Sequence, residues 1–171
     1  VTEILETARL KSEYGQLNLQ KTDLVKLIRD ICITFEGQIP GIRFENVPET
    51  FQTFVDTEQI ETVLKNLLDN ALKYSTVGNA PVEICLKKSD AGTLIEIQDR
   101  GPGIQDEELD LIFEPFYRTD KSRNRKTGGY GLGLSLCKTI IEAHGGTIDV
   151  QSNTGKGTMF SLHLPKSTST I

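Results

Sequence analysis

Between Asp56 and Tyr74 the residues Ile60, Val63, Leu64, Leu67 and Ala71 recur at three- and four-residue spacing. That period predicts the strongest helix of the chain. Asp56 suits its N-cap, Gln59 three residues on suits a capping-box partner, and Gly78 lies past its end. A second helix is expected from Thr22 as N-cap, with Leu24, Leu27, Ile28, Ile31 and Phe35 as its stripe, broken by Gly37 to Gly41. Residues 1–14 place Ile4, Leu5, Ala8 and Leu10 on one helical face, ending near Tyr14 and Gly15. Leu134–His144 reads as a further helix stopped by Gly145 and Gly146. A short one is expected over Asp106–Phe113. Alternating segments at 42–46 and 51–55 read as a hairpin across Pro48. Two longer strands, Val82–Lys87 and Thr93–Asp99, flank the turn 89–92, and a closing hairpin joins Thr147–Gln151 to Thr158–Leu164.

Helices and antiparallel hairpins thus come in blocks, without alternating βα units. That order favours an α+β two-layer sandwich over a doubly wound parallel fold. With 171 residues, 37% hydrophobic and 25% charged, the chain is long enough for one ordinary domain with a real core. No apolar run reaches the ~20 residues that span a bilayer, and nothing at Val1 resembles a leader. The start without Met suggests a piece of something longer. A net charge of −5 argues against a nucleic-acid surface, although Arg118 to Lys126 carries five basic residues against one acid. Cys32, Cys85 and Cys137 lack metal-ligand spacing and read as reduced, mostly core thiols of a cytosolic protein. His144 and His163 have no cysteine or paired carboxylate nearby, which argues against a metal site made of protein ligands alone.

Four segments carry chemistry. On the 57–74 helix, Asn66, Asn70, Lys73 and Tyr74 fall at i, i+4, i+7 and i+8 and share a stripe beside the apolar one. Two carboxamides, an ammonium and a phenol can reach phosphate oxygens and a hydrated Mg²⁺, although a solvated face explains them equally. Two asparagines in a helix interior make the solvated face less comfortable, because each costs roughly 0.5 kcal/mol against Ala. Asp99-Arg100-Gly101-Pro102-Gly103-Ile104 ends an apolar strand. There glycines let backbone approach a ligand and Asp99 can accept from an exocyclic amine, but a plain turn is the better reading of the segment alone. Gly128-Gly129-Tyr130-Gly131-Leu132-Gly133-Leu134 opens a helix, where exposed amides make an anion site. It matches neither a Walker A loop nor the dinucleotide fingerprint, and a structural turn remains the alternative. Phe113 to Arg118 sets three aromatics before the basic stretch, which reads either as a mobile lid over a ligand or as a solvated loop.

In this order the segments resemble a known family. NLLDNALKY (66–74), DRGPGI (99–104), FEPFYR (113–118), GGYGLGLSL (128–136) and TGKGTMF (154–160) are similar to the five sequence boxes of sensor histidine kinases. These belong to the GHKL superfamily with gyrase, heat-shock chaperones and mismatch-repair ATPases. The resemblance covers roughly residues 20–165, and residues 1–19 resemble the end of a dimerisation helix and its linker. It implies the GHKL fold, a mixed and mainly antiparallel sheet packed on three helices, with 20–171 as the catalytic domain.

The resemblance also implies roles. Asn70 would hold Mg²⁺ against the phosphates of ATP. Asn66 stands where gyrase-type relatives place a water-activating Glu, and an amide there suits transfer to a protein acceptor over hydrolysis. Lys73 and Arg118 would neutralise phosphate charge, with Asn66 completing the catalytic set. Asp99 would read the adenine amino group, with Gly101, Gly103, Ile104, Tyr74 and Thr158 around it. Gly129, Tyr130, Gly131, Leu132, Gly133 and Leu134 would cradle phosphates and hinge the lid, and Tyr117 would border it. Arg100 departs from the family's usual Asn. Neither His144 nor His163 fits the family's acceptor pattern, so the acceptor histidine is expected on a partner segment. Implied partners are the dimerisation domain of the same kinase and a response-regulator receiver domain, without nucleic acid or direct membrane contact. The whole kinase is expected as a cytoplasmic or membrane-anchored homodimer, and this domain alone as a monomer. Rival readings are an ATP sensor without transfer, a GHKL serine kinase, and a gyrase-type clamp, the last disfavoured by Asn66.

Overall fold

The structure, a computed structural model, describes residues 17–45, 47–75, 80–118 and 130–166. Strand β1 (Gln20–Asp23) leads directly into helix α1 (Leu24–Thr34), followed by β2 (Ile42–Phe44) and β3 (Gln52–Val55). Helix α2 (Thr57–Tyr74), strands β4 (Val82–Ser89) and β5 (Gly92–Gln98), helix α3 (Gly133–Ala143) and strands β6 (Thr147–Asn153) and β7 (Gly157–Pro165) complete it. The expected helix over 1–14 lies outside the described residues.

Five strands form one sheet in the order β2-β4-β5-β7-β6. Only β2 runs parallel to its neighbour, so the sheet is mixed and mainly antiparallel. One face is apolar by alternation: Val82, Ile84 and Leu86 on β4, Ile95 and Ile97 on β5, Phe160, Leu162 and Leu164 on β7 are all buried. The three helices pack their stripes onto it, α2 between the others, with Ile60, Val63, Leu64 and Leu67 fully buried. This is the α+β two-layer sandwich of the sequence reading. Removing atoms from such a position, as in Leu64→Ala, costs about 2–5 kcal/mol.

Three local expectations are corrected. Segments 42–46 and 51–55 do not form a hairpin: β2 pairs parallel with β4, and β3 pairs antiparallel with β1 in a separate two-stranded sheet. The N-cap of α1 is Asp23, whose Oδ1 accepts from the amides of Val25 and Lys26 at 3.0 and 3.4 Å. Thr22 instead belongs to β1, with its hydroxyl 2.6 Å from that of Thr57. The expected helix at 106–113 is a 3₁₀ turn, Asp106–Glu108, followed by irregular turns.

Asp56 caps α2 as expected, accepting from the Gln59 amide at 3.2 Å. The return bond of a capping box is not made, because His144 Nε2 accepts the Asp56 amide at 3.1 Å instead. His144 Nδ1 donates to the Ile140 carbonyl at 2.8 Å, so the ring is a neutral tautomer with both nitrogens engaged. Burial pushes its pKa below the ordinary histidine value, against the pull of the Ile140 carbonyl and Asp56. Beyond it, Gly145 and Gly146 amides return to the carbonyls of Glu142 and Ile141, both at 2.9 Å, and close α3 with a Schellman motif.

Candidate functional site

The polar stripe of α2 runs beside its buried one, and two other segments meet it at its two ends. Asn66 and Tyr74 are eight residues apart, which on an α-helix is about 12 Å along the axis. Near the Tyr74 end sits the loop 99–104. A Cβ on Gly101 would stand 2.5 Å from the Tyr74 carbonyl oxygen, so only glycine lets the loop approach the helix end this closely. The amide of Arg100 donates to Ser75 Oγ at 3.2 Å. Near the Asn66 end lies the start of α3, where a Cβ on Gly133 would stand 2.9 Å from Asn66 Oδ1. The Asn66 amide group donates to the Thr62 carbonyl one turn back, at 3.0 Å. Asn70 lies half-buried between the two ends.

At the Tyr74 end every loop peptide but one is tied down. Asp99 is 6% exposed and its Oδ1 accepts from the amides of Gly101 and Thr158, at 2.7 and 3.2 Å. The Asp99 amide donates to the Thr158 carbonyl at 2.9 Å. Burial raises the Asp99 pKa above the ordinary carboxylate value, opposed by the Gly101 and Thr158 amides and by Arg100. Gly155 donates to the Pro102 carbonyl at 2.8 Å, Gly103 passes over Asn153, and the Ile104 amide donates to Ser152 Oγ at 2.8 Å. Thr158 is buried, and Ile104 packs partly buried against the core. Arg100 points away to the sheet edge, within 3.9 Å of Glu83, which Arg43 also engages.

At the Asn66 end the arrangement is looser. The N-cap of helix α3 is Leu132, whose side chain supplies no capping bond. Amides in its first turn are therefore open to an external acceptor. Leu132 is 2% exposed and Leu134 packs against the core, so these two reach a ligand only through backbone. Gly131, at φ +74°, lies where a Cβ would be 2.7 Å from the Tyr117 carbonyl, and its own carbonyl accepts from Phe116. Phe116 itself has φ +67°, uncommon for a bulky residue. Its side chain and that of Tyr130 are 67% and 70% exposed. Phe113 stacks edge-on against Phe160 with centroids 6.3 Å apart, and Tyr117 donates to Glu108 at 3.2 Å. Of the three aromatics, Phe113 and Tyr117 anchor the loop, and Phe116 does so through its backbone. On the rail itself, next to Tyr74, Lys73 is exposed and paired with Asp69 at 2.8 Å. Arg118 is half-buried at the end of the described loop, and Gly129 with the basic stretch beyond Arg118 falls outside the described residues.

The structure therefore brings Asn66, Asn70, Lys73 and Tyr74 onto one rail, with Asp99, Gly101, Gly103, Ile104 and Thr158 at one end. Tyr117, Gly131, Leu132, Gly133 and Leu134 gather at the other. Two residues escaped the sequence reading, Ser75 and Ser152. Neither lies in a repeated pattern, and their only signal is a small hydroxyl beside a turn. Among the described residues no group of three or more His, Cys, Asp or Glu is placed to hold a metal, and no helix is long and apolar enough to cross a membrane.

The profile described as histidine kinase-, DNA gyrase B-, and HSP90-like ATPase matches residues 55–168. The sensor protein SrrB of Staphylococcus aureus (strain MRSA252) is 36% identical over 170 residues, covering 97% of this chain and 29% of that protein. Full-length ShkA in complex with AMPPNP superposes with a TM-score of 0.81 at 26% identity, over 98% of this chain and 35% of that one. The nucleotide-free catalytic domain of histidine kinase ThkA gives 0.75 at 30% identity, over 88% of this chain and 99% of that one. This chain thus spans under a third of the SrrB sequence and nearly all of the ThkA domain.

Proposed function

The chain belongs to the histidine kinase-, DNA gyrase B-, and HSP90-like ATPase family, and from that premise we propose that it is the catalytic domain of a sensor histidine kinase, binding ATP with Mg²⁺. It hands the γ-phosphoryl to a histidine on the dimerisation domain of the same kinase, from which a response-regulator receiver domain takes it. The observation that carries the reading is the two-ended rail of α2, with a buried carboxylate near one end and an uncapped helix N-terminus near the other.

In this reading Asp99 accepts from the adenine amino group. Both of its described bonds fall on Oδ1, which leaves Oδ2 to the base. Gly101 and Gly103 shape that wall, with Tyr74, Ile104 and Thr158 beside it. The first-turn amides of α3 and the backbone of 129–134 hold phosphate oxygens. The residues fit a shared cation: Asn70 offers one carboxamide oxygen between the two ends, and phosphate oxygens and water complete the shell. When bound, Mg²⁺ supplies neutralisation of phosphate charge. Lys73 and Arg118 add to it. Asn66, pressed against Gly133, places no base where water could be activated, so the γ-phosphoryl is kept for the protein acceptor.

In this reading residues 1–19 are the remnant of the dimerisation helix and its linker, and the domain from residue 20 works on the cytoplasmic side as a monomeric module of a homodimeric kinase. Calorimetric titration of ATP and GTP with Mg²⁺, repeated on Asp99→Asn and Asn70→Asp, tests the pocket. Retention of ATP preference by Asp99→Asn overturns the assignment. With γ-labelled ATP the chain alone acquires no phosphohistidine, and a supplied pair of dimerisation helices does. Labelling on serine of an added protein would instead favour a serine kinase.

A further inference from the structure

The loop 99–104 is held at both ends by serine hydroxyls that belong to neither the loop nor the rail. At its start the Arg100 amide donates to Ser75 Oγ at 3.2 Å, and Ser75, just past the end of α2, is 4% exposed. At its finish the Ile104 amide donates to Ser152 Oγ at 2.8 Å. Ser152 Oγ also donates to the Gly157 carbonyl at 3.0 Å and lies 2.9 Å from Thr158 Oγ1. A hydroxyl has one proton and two lone pairs. With its proton on Gly157, Ser152 accepts from Ile104 and Thr158 and is saturated. Thr158 in turn exchanges two hydrogen bonds with Asp99, amide to Oδ1 at 3.2 Å and carbonyl to amide at 2.9 Å. An unbroken path therefore runs from Ile104 through Ser152 and Thr158 to the carboxylate, and Ser75 anchors the opposite side.

We propose that Ser75 and Ser152 are paired positioning residues that fix the rotation of the Asp99 carboxylate and thereby set the preference for adenine over guanine. The inference rests on the nucleotide reading above. Its physical basis is that a carboxylate discriminates between an amino donor and a carbonyl acceptor only when one oxygen is held at a defined point. The loop reaches that point only while its two ends are tied. Neither hydroxyl touches the ligand in this scheme; each acts through backbone amides and Thr158. Losing Ser152 removes the partner of three groups at once, and losing Ser75 of one described amide, so Ser152 carries the larger share.

The test measures dissociation constants for ATP and GTP with Mg²⁺ on the wild-type chain, Ser75→Ala, Ser152→Ala and Ser152→Thr, with melting temperatures alongside. Expected is an approximately tenfold weakening for ATP in Ser152→Ala, which loses three hydrogen bonds, and about threefold in Ser75→Ala, which loses one described bond. GTP affinity changes less, so the ATP-to-GTP ratio narrows. Ser152→Thr keeps an Oγ on a strand that tolerates β-branching and restores the ratio. A folded Ser152→Ala with an unchanged ratio overturns the proposal, as does a parallel loss for both nucleotides that Ser152→Thr leaves uncorrected. If the wild-type chain binds neither nucleotide, the reading of the pocket itself fails, and that result is distinct from the other two.

Discussion

The two ends of the α2 rail are built differently. Around Asp99, the backbone of residues 99–104 is tied to Ser75, Ser152, Gly155 and Thr158, and the carboxylate is already oriented. Around Gly133, the helix start has no side-chain cap, and Phe116 and Tyr130 stand in solvent. One end is preorganised for recognition, where ordering in advance lowers the cost of binding. The other leaves its donors to be completed by the ligand. On the proposed reading, recognition and chemistry are separated along one helix, and mutations at the two ends should separate in the same way.

The largest effect is expected midway along the rail, at the proposed cation ligand. Asn70→Ala should lower the rate of phosphoryl transfer to supplied dimerisation helices by about 10²–10³-fold, the usual magnitude for one electrostatic contact. Nucleotide affinity should move far less, which single-turnover labelling beside calorimetry would reveal. A parallel collapse of affinity would erase the distinction between the two ends. At the recognition end, Asp99→Asn should weaken ATP by about 10–100-fold, as for a lost hydrogen bond to a charged group. GTP should be affected less. The smallest change belongs to the exposed Lys73–Asp69 pair. Asp69→Ala removes one anchor of Lys73 and should tighten ATP by about two- to threefold, within the range for surface ion pairs and diminishing with salt.

Acidity sharpens the comparison further. The folded Asp99 pKa is raised, so nucleotide affinity should fall on acidification at a pH above the ordinary carboxylate range. Its effect on stability has the opposite sign: the folded form takes up protons first, so this group favours folding as pH drops through its folded pKa. His144 behaves the other way. Its folded pKa is lowered, so the unfolded chain binds the proton first. Its stabilisation is complete above the unfolded value near 6.5 and is lost as pH falls below it. Thermal melts from pH 7.5 to 5 should show a drop that His144→Gln flattens, without altering the pH profile of ATP affinity. A shared profile for both would mean that the histidine and the pocket are coupled.

Much of this was readable from residues alone, because the strong signals are local. The α2 stripe of Ile60, Val63, Leu64 and Leu67 fixes which face is buried, and so places Asn66, Asn70, Lys73 and Tyr74 together. The glycines of 99–104 and 131–133 mark close backbone approaches that a Cβ would block. What was misread is non-local. Two short alternating runs around Pro48 look like a hairpin, yet β2 finds its partner in β4 and β3 in β1. A three- or four-residue strand does not encode its neighbour. Thr22 and Asp23 are both competent caps, and the pairing of β1 with β3 decides between them by directing Thr22 toward Thr57. The acids at 106–108 suit a helix start, yet what forms there is a 3₁₀ turn that stops at Glu108. Ser75 and Ser152 gain meaning only from a loop that folds between them.

That one helix carries both the apolar stripe and both ends of the site imposes a phase condition on its length. Successive residues turn by about 100° on the axis. A single residue inserted between Asn66 and Tyr74 would swing one half against the other by that angle. Either Leu67, Leu68 and Ala71 would leave the core, or Asn70, Lys73 and Tyr74 would leave the pocket. Loops on either side can change length without such a choice, whereas in this segment the count of residues is itself part of the proposed binding site.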